Sequence, residues 1–470
     1  MFPEICFLKS GDPKSWRTDT MSGMTTDSSN SAAWQAPEPV GPLNANVPIP
    51  GSKSLSNRYL VLAAAGRKSV ELRGLLRSRD TELMISALET LGVRITANHS
   101  DPTTVRVEAP SDGRYQGNVT IDCGLAGTVM RFVPGLAMSA DGPVTFDGDS
   151  QAYQRPMAPL LDGLRQLGAD IVFHGQQGYL PFTLTPPQHW NSGKISIDAS
   201  ASSQFISGLL LTASTFPHGI ILKHTGKRLP SLPHIRMTVD DVKHAGVQIK
   251  AHEYQREWLV EPGPVQLPFI VGIEPDLSNA APFLGAALLA GGSVEVPHWP
   301  EHTTQPGGLL PGYLQSLGAK VEMIPDQGQL LCKVTSDGTI HGLGDFDLSA
   351  AGEIAPSLAA LLVFADAPTR MLGIGHLRGH ETNRLAALVE EINRIGGHAE
   401  ELPEGIAITP VPQESLHPAE LRSYADHRMA TFAAMLGLRV HGITVDDIGT
   451  TSKTLPEFVD MWHSLLDVKN

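Results

Sequence analysis

The chain has 470 residues, 18% of them charged and 6% aromatic, and a formal net charge of −14. That length exceeds what one core usually organises, and the acidic balance excludes general binding to nucleic acid or a membrane surface, which needs a basic face. No apolar run is long enough to span a bilayer, and three scattered cysteines (Cys6, Cys123, Cys332) form neither a disulfide framework nor a zinc pattern.

Residues 1–40 lack the basic start, apolar centre and cleavage site of a secretory signal. Their Ser, Thr and Pro content, densest over 18–31, predicts a disordered extension over 1–37. Met21 and Met24 are alternative starts.

Beyond it one unit recurs six times at a spacing of roughly 73 to 76 residues, the signature of a repeated supersecondary structure. In each copy an alanine-rich helical run, such as 60–65 or 284–290, ends in a turn and a short strand. These strands enter near Val70, Val144, Ile220, Val294, Arg370 and Ile443. A second helix carries residues for burial at i, i+4 and i+7: Met84, Leu88, Leu91; Leu160, Leu164, Leu167; Thr238, Val242, Ala245; Leu310, Leu314, Leu317; Leu388, Ile392, Ile395; Phe458, Trp462, Leu465. This spacing puts each trio on one face. Five of these helices stop at glycine (Gly92, Gly168, Gly246, Gly318, Gly396), as a left-handed closing residue requires. Four of the glycines lead into alternating apolar residues, from Val93 and Ile95 to Ala319 and Val321. The unit is therefore strand and helix alternating twice, an α/β fold. Six copies divide as three plus three, with the Pro-rich stretch 261–275 as the boundary.

The helix starts carry the chemistry. Gly51, Ser52, Lys53, Ser54 and Arg58 open the first helix, and cations at a helix N-terminus are locally unfavourable unless a bound anion offsets them. Equivalent starts fall at 123–131, 200–204, 276–279, 352–353 and 424–428. The second series opens at 79–81, 154–156, 231–234, 302–305, 378–384 and 450–454. All are polar, and Ser, Asp and Gly suit caps with reachable N–H groups. If the halves face each other with these ends inward, dipoles and cations share one cleft suited to a multiply anionic ligand. The nucleotide-binding loop is excluded, because Ser52 separates Gly51 from Lys53.

Taken together, Gly51-Ser-Lys-Ser-x-Ser-Asn-Arg58, Gly127-Thr128 with Arg131, Arg155-Pro156, Ser202-Ser-Gln204, Glu381-Thr-x-Arg384, Asp426-His-Arg428 and Lys453-Thr resemble the 5-enolpyruvylshikimate-3-phosphate synthase family, in order and at similar distances, from about Val40 to the end. The resemblance implies a two-domain inverted α/β barrel of six βαβαββ units, three per domain. Its implied N-terminal domain covers 52–270, the C-terminal domain 38–51 plus 271–470, and the site lies between them.

The implied reaction moves the enolpyruvyl group of phosphoenolpyruvate to the 5-hydroxyl of shikimate 3-phosphate through a tetrahedral intermediate, a step of aromatic amino-acid synthesis. By resemblance Lys53, Gly127, Arg155, Gln204, Arg384, Arg428 and Lys453 bind phosphoenolpyruvate, arginine forks matching carboxylate and phosphate oxygens. Lys53, Ser54, Arg58, Ser202, Ser203, Gln204, Ser231, Glu353 and His380 bind shikimate 3-phosphate, with Arg58 toward its carboxylate. Glu353, Glu381 and Lys53 are the implied catalytic groups. Gly127 resembles the glycine that discriminates the inhibitor glyphosate.

Four positions depart from the family pattern. Glu353 stands where many members have Asp, His380 where many have Lys, Leu125 for Asn and His234 for Tyr. His380 exchanges a permanent charge for a group with an unperturbed pKa of about 6.5. The related transferase acting on UDP-N-acetylglucosamine usually carries a reactive loop cysteine, whereas Cys123 belongs to a helix start. The resemblance implies no metal or organic cofactor, a cytoplasmic monomer, and two small-molecule substrates as the partners.

Overall fold

The computed structural model describes residues 33–229, 231–326 and 329–467. The expected extension over 1–32, with Cys6, Met21 and Met24, lies outside the described residues. Residues 33–37 depart from the expected disorder: Trp34–Gln35 is a strand antiparallel to Thr444–Val445, and the buried Ala36 donates its N–H to the Ile443 carbonyl at 3.0 Å.

The helices are α1 (Lys53–Ala65), α2 (Arg79–Thr90), α3 (Gly127–Ala137), α4 (Ala158–Gln166), α5 (Gln204–Thr212), α6 (Leu232–His244), α7 (Ala280–Ala290), α8 (Leu310–Ser316), α9 (Ala355–Leu362), α10 (Arg384–Arg394), α11 (His427–Leu436) and α12 (Phe458–Leu465). The odd-numbered ones are buried along most of their length, and α7 and α9 are apolar nearly all round. The even-numbered ones bury one face. Every member of the six trios is buried, and Gly92, Gly168, Gly246, Gly318 and Gly396 all have positive φ. Among the described residues no helix is long and apolar enough to cross a membrane.

Among the described residues five sheets have four strands and a sixth has three. In the second unit Val119–Asp122 and Val144–Asp147 run parallel on either side of α3, and Phe182–Thr185 pairs antiparallel with both Val144–Asp147 and Asp170–Phe173. The unit is thus βαβαββ. In the first unit the opening strand is Ile270–Gly272, parallel to Val70–Arg73. In the fourth it is Leu43–Asn46, parallel to Gly292–Trp299. The sixth unit ends in α12, and Trp34–Gln35 supplies its third strand.

Buried side chains accordingly form two cores. One runs from Leu55 to Ile273 and the other gathers Ala36 to Ile49 with Leu277 to Leu466. Because Ile270–Gly272 completes a sheet of the first half, the chain crosses at 274–276 rather than after 270. The two crossings pair with each other: Ser52 N–H donates to the Glu274 carbonyl at 2.7 Å and Asp276 N–H to the Pro50 carbonyl at 2.9 Å. A Cβ on Gly51 would stand 1.9 Å from the Gly74 carbonyl oxygen, so the crossing accepts only glycine there.

Candidate functional site

The crossings bring helix starts of the two halves together. Ser52 caps α1, its Oγ accepting from Leu55 N at 3.4 Å. Asp276 Oδ1 accepts from Ser278 and Asn279 N–H ahead of α7, while Oδ2 accepts from Lys53 N at 3.3 Å. Arg428, in the first turn of α11, donates to the Ser278 carbonyl at 2.9 Å. Its Nε lies 3.7 Å from Glu353, in the turn before α9. In the first half Asn57 of α1 donates to Thr128 of α3 at 3.0 Å, and Arg131 of α3 to Gln204 Oε1 of α5 at 3.0 Å. All six starts of the first series are linked in this way.

Two carboxylates interleave with the cations. Glu381 accepts from Lys453 Nζ at 2.8 Å and from Arg384 Nη2 at 2.9 Å. Glu353 Oε2 lies 3.7 Å from both Arg384 and Arg428, and Oε1 lies 3.8 Å from His234 Nε2 and 3.9 Å from His380 Nδ1. Burial opposes ionisation of Glu381, but Lys453 and Arg384 outweigh it and hold the carboxyl well below the usual range. Burial likewise opposes ionisation of Glu353, and His380, Arg384, Arg428 and His234 overcome it. Lys53 donates to Asp80 at 3.3 Å. Its pKa is raised, burial being outweighed by Asp80, Glu381 and Glu353.

In the first half Gly127 opens α3. A Cβ there would stand 2.7 Å from Arg131 Nη1, 2.8 Å from Arg155 Nη2 and 3.0 Å from Gln204 Oε1, so three polar groups converge on this glycine. Arg155 is oriented by donation to the Leu125 carbonyl at 2.8 Å, so Leu125 contributes through its backbone. Ser202 Oγ accepts from Gln204 N at 3.3 Å, and Ser203 is buried before α5. Ser231, with φ of 51°, precedes α6 and lines one pocket with His234 of the first half and Gly352, Glu353 and His376 of the second.

Two expected ligands also make contacts within the protein. Arg58 is buried in the first half, donating to Thr238 Oγ1 at 2.9 Å and to the carbonyls of Ser54 and His234 at 3.0 and 3.2 Å. Its role includes tying α1 to α6. His380 is pushed down to about 4 by burial and by Arg384. Its Nδ1 lies 3.2 Å from Arg384 Nη1, where a neutral ring accepts.

Sequence reasoning gave no role to Asp80 and Asp426, which hold Lys53 and Arg384. Asp426, fully buried, takes Arg384 Nε at 2.7 Å and Nη2 at 3.2 Å, and caps α11 by accepting from Arg428 N at 2.9 Å. Its place in the Asp-His-Arg motif was the available signal. Arg131 sits one turn after Gly127, the spacing that puts both on one helix face. Arg131 Nε and Arg428 Nε are buried without a hydrogen-bond partner among the described residues, donors suited to an anion, and His427 Nδ1 is likewise unpartnered. Cys123 is buried, which pushes its thiol far above the ordinary range and makes it unreactive.

Residues 37–462 match the family model described as EPSP synthase (3-phosphoshikimate 1-carboxyvinyltransferase). A 3-phosphoshikimate 1-carboxyvinyltransferase of Bifidobacterium longum (strain DJO10A) is 65% identical over 435 residues, covering 92% of this chain and 98% of that one. In fold the chain is similar to the EPSP synthase of Acinetobacter baumannii, at TM-score 0.76 and 22% identity over 92% of this chain and 98% of that one. It is also similar to the enolpyruvyl transferase NikO of Streptomyces tendae, at TM-score 0.68 and 18% identity over 91% and 96%.

Proposed function

Since the chain belongs to the EPSP synthase (3-phosphoshikimate 1-carboxyvinyltransferase) family, we propose that this cleft transfers the enolpyruvyl group of phosphoenolpyruvate to the 5-hydroxyl of shikimate 3-phosphate, releasing phosphate. The observation that carries the reading is the interleaving of Glu353 and Glu381 with Lys53, Arg384, Arg428 and Lys453. Two polyanions must be held while one proton leaves a hydroxyl and another reaches a methylene carbon. The first needs fixed cations and the second needs carboxylates beside the reacting atoms.

In this reading Lys53, Arg155, Arg384, Arg428 and Lys453 clamp phosphoenolpyruvate against Gly127 and Gln204. Ser54, Arg58, Ser202, Ser203, Ser231 and His380 form the shikimate 3-phosphate side. The 5-hydroxyl oxygen bonds to C2 of phosphoenolpyruvate, Glu353 accepts its proton, and Glu381 delivers a proton to C3. In the second half Glu381 takes a proton back from C3, the C2–O bond to phosphate breaks, and phosphate leaves with the proton that Glu353 returns. The substrate anions supply the proton affinity the carboxylates lack without them: they draw on the same Lys453, Arg384 and Arg428 that otherwise hold Glu381 and Glu353 ionised. The two cores serve as the two domains, meeting at the crossings beside Lys53.

Phosphate release from the purified protein tests this. It is expected only when both substrates are present. Glu381→Gln should lower kcat by about 10²- to 10⁴-fold with KM changed little, and Lys53→Ala should abolish turnover with the melting temperature nearly unchanged. Binding of both substrates without phosphate release would sink the reading, and an equal loss of affinity in Glu381→Gln would remove its proton-transfer role.

A further inference from the structure

Ahead of Asp426 stand two consecutive non-glycine residues in the left-handed region, Tyr424 with φ of 55° and Ala425 with φ of 53°. Side chains with a Cβ are disfavoured there, so the surroundings must hold them. The holding group is Glu391, a fully buried carboxylate on α10. Tyr424 Oη donates to Glu391 Oε1 at 2.6 Å, and Oε2 accepts from Arg394 Nε at 2.9 Å and Arg422 N at 3.3 Å. Ser423 N–H is fixed in turn by Asp446 Oδ1 at 2.8 Å.

Arg384 and Glu391 are seven residues apart on α10, two turns along one face. One helix therefore grips segment 422–428 twice: Arg384 holds Asp426, and Glu391 holds Tyr424 and the Arg422 backbone. The strained pair begins at one gripped residue, Tyr424, and ends next to the other, Asp426, and Arg428 follows two residues on. We propose that Tyr424 and Glu391 are positioning residues, a strut that keeps 424–425 left-handed and so sets the reach of Arg384 and Arg428. This rests on the reading of those arginines as phosphoenolpyruvate ligands.

Steady-state kinetics and thermal melting of Tyr424→Phe, Glu391→Gln, Tyr424→Phe with Ala425→Gly, and Arg428→Lys test it. Tyr424→Phe is expected to raise KM for phosphoenolpyruvate about tenfold and leave KM for shikimate 3-phosphate within about twofold. The melting temperature should fall by no more than about 3 °C. Glu391→Gln should move the same constant in the same direction. Adding Ala425→Gly should restore much of the loss, because glycine takes positive φ without a Cβ penalty. A lower melting temperature with both KM values unmoved would make the pair merely structural and overturn the proposal. If Arg428→Lys raises KM for phosphoenolpyruvate and Tyr424→Phe does not, the strut alone fails. If Arg428→Lys leaves it unchanged, the arginine assignment falls and the strut's role with it.

Discussion

Burial sets the protonation of the histidines around Glu353. His234 is pushed down to about 4 by burial and by Arg58, and His380 to about 4 by burial and by Arg384. The unfolded chain protonates each near 6.5, so between about 4 and 6.5 the unfolded state holds more protons. Stability from this source is full above 6.5 and is lost as pH falls from about 6.5 to about 4, up to about 3 kcal/mol for each histidine. Glu353 and Glu381 have depressed values, so their contribution is present above about 4.5 and disappears only at more acid pH. Melting temperature followed from pH 7 to pH 5 should therefore fall, and His380→Gln, which keeps a neutral acceptor for Arg384, should flatten the slope. An unchanged slope would show that His380 titrates normally in the fold.

At the scale of elements, the sixth sheet is completed by a strand of two residues from the other end of the chain. A protein beginning at residue 38 should be less stable than one beginning at residue 33 by about 2–4 kcal/mol, since it loses the Ala36 burial and its 3.0 Å hydrogen bond to Ile443. Comparing urea midpoints checks this, and equal midpoints would make the strand dispensable. Nothing local announced it, because two residues are too short to show a period of two. The even-numbered helices were legible for the opposite reason: i, i+4, i+7 trios such as Leu388, Ile392, Ile395 recur in register and bury one face. Glycine at each closing turn was legible because positive φ restricts the residue type. The place of Leu43–Asn46 beside the second half followed from the family resemblance alone, and the pairing of Ile270–Gly272 with the first half was hidden, since in both cases the partner strands lie far off in sequence. The site divides similarly: Lys53, Arg384 and Lys453 stood out as cations at helix starts, whereas the pairing of Arg384 with Asp426 depends on two helices packing together.

For the whole molecule, the net charge of −14 and the cations proposed to bind substrate act on the same polyanions with opposite sign and different range. The surface charge repels them over long distances and is screened once the Debye length shrinks to about 10 Å, near 0.1 M salt. At the proposed site, Lys53, Arg131, Arg155, Arg384, Arg428 and Lys453 exceed in number the carboxylates Asp80, Asp276, Glu353, Glu381 and Asp426. The attraction works over the last few ångströms and is buried, so it persists to higher salt. Raising ionic strength should first relieve the repulsion and then weaken the attraction. The expected result is a maximum in kcat/KM for phosphoenolpyruvate near about 0.1 M KCl, followed by a several-fold decline by about 0.5 M, while kcat changes less because bound substrate no longer feels the outer surface. A steady decline from the lowest salt upward would mean that the acidic surface lies too far from the cleft mouth to oppose substrate entry, and that local cations alone set the approach.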